Sequence, residues 1–316
     1  MRYIISFLLA STAAPALAEV PRVVADMPPV HSLVAQVMGD LGQPELLLEK
    51  GANAHSFQMR PSQAAGLQEA DLMVWVGPEM TPWLGRALEG ISTARQLRLL
   101  QAEGTFRQDF GAAAAHDHGH EGHDSHEAPE AGHDDHAADH DGHAHKGVDP
   151  HAWLDPSNAS HWLGLIAAEL STLDPENAAT YAANAAQAQA DLAALDAEIA
   201  ASLAPAQGKP LVVYHDAYAY FAGHYGLTIA AAIAEGDASG PGAQHIAEIE
   251  ALLKSGPVCL FPETNHDPKL VAQLAEATGL TQAGTLDPEG AQLDPGPDLY
   301  GQLMRDMAGT IAACAR

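Results

Sequence analysis

The sequence predicts an α/β fold of two lobes, each a parallel sheet covered by helices, with one stiff helix between them. Three observations carry this. The chain has 316 residues, enough for about two domains at ~150 residues each. Apolar β-type runs alternate with helical patterns in two separate sets, and such alternation gives parallel sheets flanked by helices. Between the sets lies a helix-period stretch too long and too regular to be a loop.

Residues 1–18, MRYIISFLLASTAAPALA, precede the fold. Arg2 is followed by an apolar run over 4–10, and Ala16-Leu17-Ala18 is a small-x-small cleavage site. This is the layout of a secretory signal peptide. The run is much shorter than the ~20 apolar residues of a membrane anchor. No Cys lies near the cleavage point to take a lipid. The mature chain is expected to begin near Glu19 and to be free in the periplasm.

In the first set, strands are predicted over 22–26, 45–49, 72–77 and 96–100, with helices near 31–39, 61–70 and 80–89. Residues 175–203 then place Tyr181, Ala185, Ala188, Leu192, Leu195, Ile199 and Leu203 on one helical face. Asp174 is positioned to cap this helix, Pro175 suits its first position, and Pro205 and Gly208 stop it. At ~1.5 Å per residue it is a rod of roughly 43 Å. The second set has strands over 211–214, 227–233, 258–261 and 280–286, with helices near 217–224, 243–255, 268–278 and 298–313. The division expected is 19–173 for the first lobe, 174–204 for the connector and 205–316 for the second lobe.

One segment breaks the rhythm. Residues 116–145 hold ten His (His116, His118, His120, His123, His126, His133, His136, His140, His143 and His145) among nine acidic residues, with no Leu, Ile, Val or aromatic side chain. Such a composition cannot bury a core and is expected to be disordered. Neutral imidazoles favour Zn²⁺, Cu²⁺ and Ni²⁺, and interleaved carboxylates concentrate cations. Ordering entropy opposes each binding event, so several weak, overlapping sites are expected. The plain alternative is a solvated insert without a role.

The charge agrees with cation handling. With 14 Lys+Arg against 41 Asp+Glu, the formal charge is −27. This argues against nucleic acid, which needs a basic face, and against docking on anionic lipid. Two cysteines, Cys259 and Cys314, in an exported chain suggest one disulfide, the alternative being two buried thiols.

Eight His lie outside the insert. His31, His161, His224 and His245 fall on helical patterns and read as structural. His266, in the loop after Phe261-Pro262-Glu263, is grouped with them as the least settled. The other three have stronger context: His55 in GANAHSF after a strand, His151 in DPHAWLDP, and His215 at the end of LVVYHD. Positions beyond the carboxyl ends of parallel strands are where α/β folds bind ligands. Spacing alone leaves a ligand role and a structural one evenly matched.

GANAHSFQMRPSQ, EADLMVWVGPEM, DPHAWLDP and YHDAYAYFAGHYGL occur in this order. Together they resemble the zinc-specific substrate-binding proteins of ABC importers, the ZnuA type of cluster A-I, over essentially the whole mature chain. The resemblance implies two pseudo-symmetric lobes on a long rigid helix, with one Zn²⁺ between them. It implies His55, His151 and His215 as ligands and pairs Cys259 with Cys314. A Glu that some members carry just before the first His is replaced here by Ala54. Relatives place an Asp at the position of Asp287, which is the candidate fourth ligand, directly or through water; Glu263 is a weaker one. Manganese and iron relatives replace the third His by Glu, whereas this chain has His215.

The function implied is a monomeric periplasmic receptor that captures Zn²⁺ in the interlobe cleft and delivers it to the permease of an ABC importer, with the His-rich segment as a weak collector. No enzyme is expected: the sequence has no HExxH, GxSxG or phosphate loop, although three His with an open position also build catalytic zinc. The alternative function is a zinc buffer or chaperone acting through the His-rich segment.

Overall fold

The computed structural model describes residues 20–52, 54, 57–110, 147–234 and 240–315. The expected signal peptide lies outside these, as do His55 and the ten His of 116–145. Among the described residues, no helix is long and apolar enough to cross a membrane.

The first sheet contains β1 (Val23–Ala25), β2 (Glu45–Leu46), β3 (Leu72–Trp75) and β4 (Arg95–Arg98), all parallel, in the order β2-β1-β3-β4. The strand alternation sorts its side chains onto two faces. Val24, Met73 and Trp75 pack outward against Leu67 of α2 (Pro61–Glu69) and Leu84 and Leu88 of α3 (Pro82–Ile91). Val23, Ala25, Leu72 and Val74 face inward with α1 (Pro28–Met38). Each of these helices opens on proline, whose missing N–H would be unpaired there in any case.

The second sheet has β5 (Pro210–His215), β6 (Thr228–Ala234) and β7 (Cys259–Leu260), parallel in the order β6-β5-β7. Val212 and Leu260 pack outward on α7 (Ala243–Lys254) and α8 (Lys269–Thr278), while Leu211 and Val213 face inward. The expected strand over 280–286 is not formed: only Leu286 bridges, to Glu263. Residues 281–285, TQAGT, offer no apolar alternation to bury. Conversely, the sequence reading sees only a helical pattern around His161 and gives it no bounds, whereas α4 (Pro156–Leu173) runs for 18 residues. Ala159, Trp162, Leu163, Ile166, Ala167 and Leu170 form its buried stripe.

The long helix α5 (Ala178–Leu203) spans 26 residues and buries the seven expected face positions. A 3₁₀ turn over Pro175–Asn177 precedes it. The Asp174 carboxylate accepts from the Asn177 amide and, at 2.9 Å, from the Tyr181 hydroxyl, so it fixes the helix start through side chains. The buried face of α5 packs on α1, α4 and α9 (Leu299–Cys314), within one core shared with the inner faces of both sheets. Cys259 and Cys314 form a disulfide, with Cα atoms 6.0 Å apart, tying α9 to β7.

Polar ties also cross between the halves. Ser32 Oγ donates to the Pro297 carbonyl at 2.8 Å and accepts from the Tyr300 N–H at 3.0 Å. The Tyr300 hydroxyl donates to the Trp153 carbonyl at 2.8 Å, and the Trp153 indole donates to the Pro288 carbonyl at 2.8 Å.

Candidate metal centre

The motif DPHAWLDP divides its work. Asp149 is fully buried, and its Oδ1 accepts both the backbone N–H of His151, at 3.0 Å, and ring Nδ1 of His151, at 2.7 Å. Trp153 reaches across to Pro288. Asp155 caps α4 by accepting the Ser157 N–H at 2.7 Å. Its Oδ1 also lies 3.1 Å from Nδ1 of His224, whose Nε2 lies 2.9 Å from Asp196 of α5. The described residues that flank the His-rich insert meet at the start of this motif: Asp109 bridges Val148, and the Asp149 N–H donates to the Gln108 carbonyl at 2.9 Å.

His215 is the last residue of β5, at the carboxyl end of the sheet. Its Nδ1 lies 2.6 Å from Oε2 of Glu263. The other oxygen of Glu263 accepts the Tyr218 hydroxyl at 2.9 Å. Burial, and then the Glu263 charge, push the Tyr218 hydroxyl well above its usual range, so it remains a donor.

The two imidazoles meet. Nε2 of His151 and Nε2 of His215 are 3.4 Å apart, and both rings are buried. Two nitrogens bound at ~2.0–2.1 Å to a tetrahedral ion are about 3.3–3.4 Å apart. In the tautomer that carries each ring proton on Nδ1, against its carboxylate, the Nε2 lone pairs face one another. Metal-binding histidines are oriented by carboxylates in this way. Two neutral imidazole donors suit Zn²⁺ better than the oxygen-seeking cations.

Asp287 lies in the turn beyond the Glu263–Leu286 bridge. Its oxygens accept the N–H groups of Ala291, at 2.9 Å, and Gln292, at 3.0 Å. Burial raises its pKa, the Glu263 charge adds to the rise, and these backbone donors oppose it. Asp287 lines one small pocket with His215, Glu263 and His266. The segment leading to His55 is anchored to this turn, since the Gly51 N–H donates to the Ala291 carbonyl at 2.8 Å. Ala54 is buried, and its carbonyl accepts the Trp83 indole at 2.8 Å.

Thus the structure brings His151 and His215 together and sets Asp287 in the pocket that His215 lines. His31, His161 and His245 contact backbone carbonyls of Pro44, Glu103 and Ala232, consistent with structural roles. His266 departs from that group. It lies beside Glu263 and His215, with a ligand atom of each within 4.8 Å of the others. The available sequence signal was the Glu263-x-x-His266 spacing directly after a strand.

Comparison with known proteins adds to this geometry. A family model, zinc-uptake complex component A periplasmic (ZnuA), matches residues 23–314. The chain is 50% identical over 315 residues to the high-affinity zinc uptake system protein ZnuA of Paracoccus denitrificans (strain Pd 1222), covering 98% of this chain and 97% of that relative. It is 37% identical over 304 residues to the protein of the same name from Brucella abortus (strain 2308), covering 92% and 91%. A crystal structure of ZnuA shares the fold, with a TM-score of 0.74 at 23% identity over 94% of this chain and 99% of that one.

Proposed function

This chain belongs to the ZnuA family of periplasmic zinc-uptake components, and from that premise we propose that it is the receptor that captures Zn²⁺ and hands it to an ABC importer. The ion is held between His151 and His215, with His55 as third ligand and Asp287 as fourth, directly or through water. The observation that carries this is the 3.4 Å separation of the two buried Nε2 atoms, each ring backed by a buried carboxylate. His55 and His151 come from the first lobe (19–173) and His215 from the second (205–316), with 174–204 as the rigid connector.

The segment 116–145 is an accessory collector in this reading. Its described flanks are joined by the Asp109–Val148 bridge and by the Asp149–Gln108 hydrogen bond, two residues before His151. The chain acts as a monomer, enters the periplasm through its signal peptide, and docks on a membrane permease. It binds its ion as cargo and does no chemistry on it.

The test is zinc titration of the mature protein lacking 116–145, in competition with a chelator of known affinity. One retained equivalent of sub-micromolar affinity supports the receptor. Loss of all tight binding overturns it in favour of a zinc buffer working through the His-rich segment.

A further inference from the structure

We propose that Glu263 and His266, with His215, form an outer divalent-cation position through which the ion reaches the His151–His215 pair. The inference rests on reading that pair as the zinc site. Nε2 of His266 is 3.9 Å from Oε2 of Glu263, and that oxygen is 2.6 Å from Nδ1 of His215. A nitrogen and an oxygen bound at ~2.0–2.2 Å to one tetrahedral ion are about 3.3–3.6 Å apart, so a small rotation of the His266 ring brings it into range of Glu263, while the 2.6 Å Glu263–His215 hydrogen bond must open and release its proton to solvent for His215 to join the set.

The chain is shaped to hold the ring there. Asn265 adopts a left-handed backbone, with φ 57°, a conformation asparagine tolerates better than most residues. It turns the chain so that His266 stacks on Tyr214, with ring centroids 4.2 Å apart and planes 24° apart. The Tyr218 hydroxyl fixes the other oxygen of Glu263. Neutral nitrogen with anionic oxygen is a mixed donor set that suits Zn²⁺ and its neighbours, while Mg²⁺ and Ca²⁺ prefer oxygen alone.

Burial gives the order of encounter. Side-chain exposure is 14% for His266, 4% for His215 and 2% for His151. A hydrated ion meets His266 first and exchanges its waters for protein ligands in steps. His215 belongs to both sets, so the two positions are alternatives for one ion and fill in turn. A way-station of this kind speeds entry and exit alike and leaves the equilibrium constant nearly unchanged.

His266→Gln in the full mature chain tests this, because 116–145 is common to every variant and cancels in the comparison. Stopped-flow zinc entry and chelator-driven release should both slow several-fold, with Kd within twofold of wild type. Unchanged rates overturn the proposal, and so does a tenfold weaker Kd, which would make His266 a ligand of the final site. A second measurement uses the His55→Ala/His151→Ala background without 116–145, whose histidines would otherwise dominate residual binding, and there residual zinc affinity should fall at least tenfold when His266→Gln is added. Equal residual binding also overturns the outer position. Failure of the underlying reading looks different: wild type would lack a tight equivalent, or His55→Ala/His151→Ala would leave it intact.

Discussion

Asp149→Asn separates what the buried carboxylate does for His151 from what the backbone does. The amide Oδ1 can still accept both the backbone N–H and ring Nδ1, so the ring keeps its place. What disappears is the negative charge behind a metal-bound imidazole. Oδ2 of Asp149 is buried with no hydrogen-bond partner among the described residues, so no donor there competes with His151 for that charge. Removing such a partner typically lowers metal affinity about 10–100-fold, which is about 1.4–2.8 kcal/mol. The same position makes a second, separable expectation. The new amide NH₂ replaces Oδ2 where no acceptor waits, lowering the stability of the metal-free protein by about 1–3 kcal/mol. Competition titration reads the first number and urea unfolding without metal reads the second. The zinc-induced gain in stability should shrink by the logarithm of that factor, about 1.4–2.8 kcal/mol. A variant with native circular dichroism and a zinc Kd within twofold of wild type would refute the argument that Asp149 works through His151.

Other consequences are equally measurable. Replacing Cys259 and Cys314 by Ser opens a loop with a sequence separation of 55 and should lower stability by about 4 kcal/mol in the chain-entropy account; an unchanged urea midpoint would contradict it. Ile199→Ala, at 2% exposure on the buried face of α5, should cost about 2–5 kcal/mol by the same assay, and a loss below that range would show that face to be loosely packed. Donating a hydrogen bond to the Asp155 carboxylate raises the pKa of His224, burial opposes it, and Asp196 adds to it. The stabilisation from this group is therefore complete below about pH 6.5 and is lost as pH rises through the higher folded value. Unfolding of wild type and His224→Gln should converge with rising pH, and a constant difference would sink the idea. Because bound imidazoles must be neutral, protons compete with zinc for them and affinity should fall on acidification; a flat profile from pH 5 to 8 would contradict histidine ligation.

The sheets were legible because a buried parallel strand is a short apolar run, as in Leu72–Trp75 and Pro210–His215. The face of α5 was legible from its spacing alone. Helix α4 was not, because its start signal, Asp155-Pro156, was absorbed into the motif around His151. The strand expected over 280–286 failed because sequence cannot show that β7 ends after two residues and leaves the next segment only one bridge. At the site, His151 and His215 stand out because their motifs place them at strand ends or beside turns. The grip of Asp149 on His151 depends on the chain folding back across Pro150. The approach of His266 depends on one left-handed residue, Asn265. Neither is a matter of periodicity, so neither could be read from spacing.

The stitches between the halves, from Ser32 to Pro297 and Tyr300 and from Trp153 to Pro288, have a consequence for whoever must read this molecule. A structure fastened in this manner keeps nearly the same outline whether empty or loaded. A membrane partner that docks only with cargo then has little shape to inspect. With the ion at the proposed site, what would change is potential: two positive charges would arrive beside Glu263 and Asp287. Discrimination by local field acts over roughly 8 Å at physiological ionic strength. The loaded state would then be announced only to a surface already close to the mouth of the pocket, and the announcement would fade with added salt.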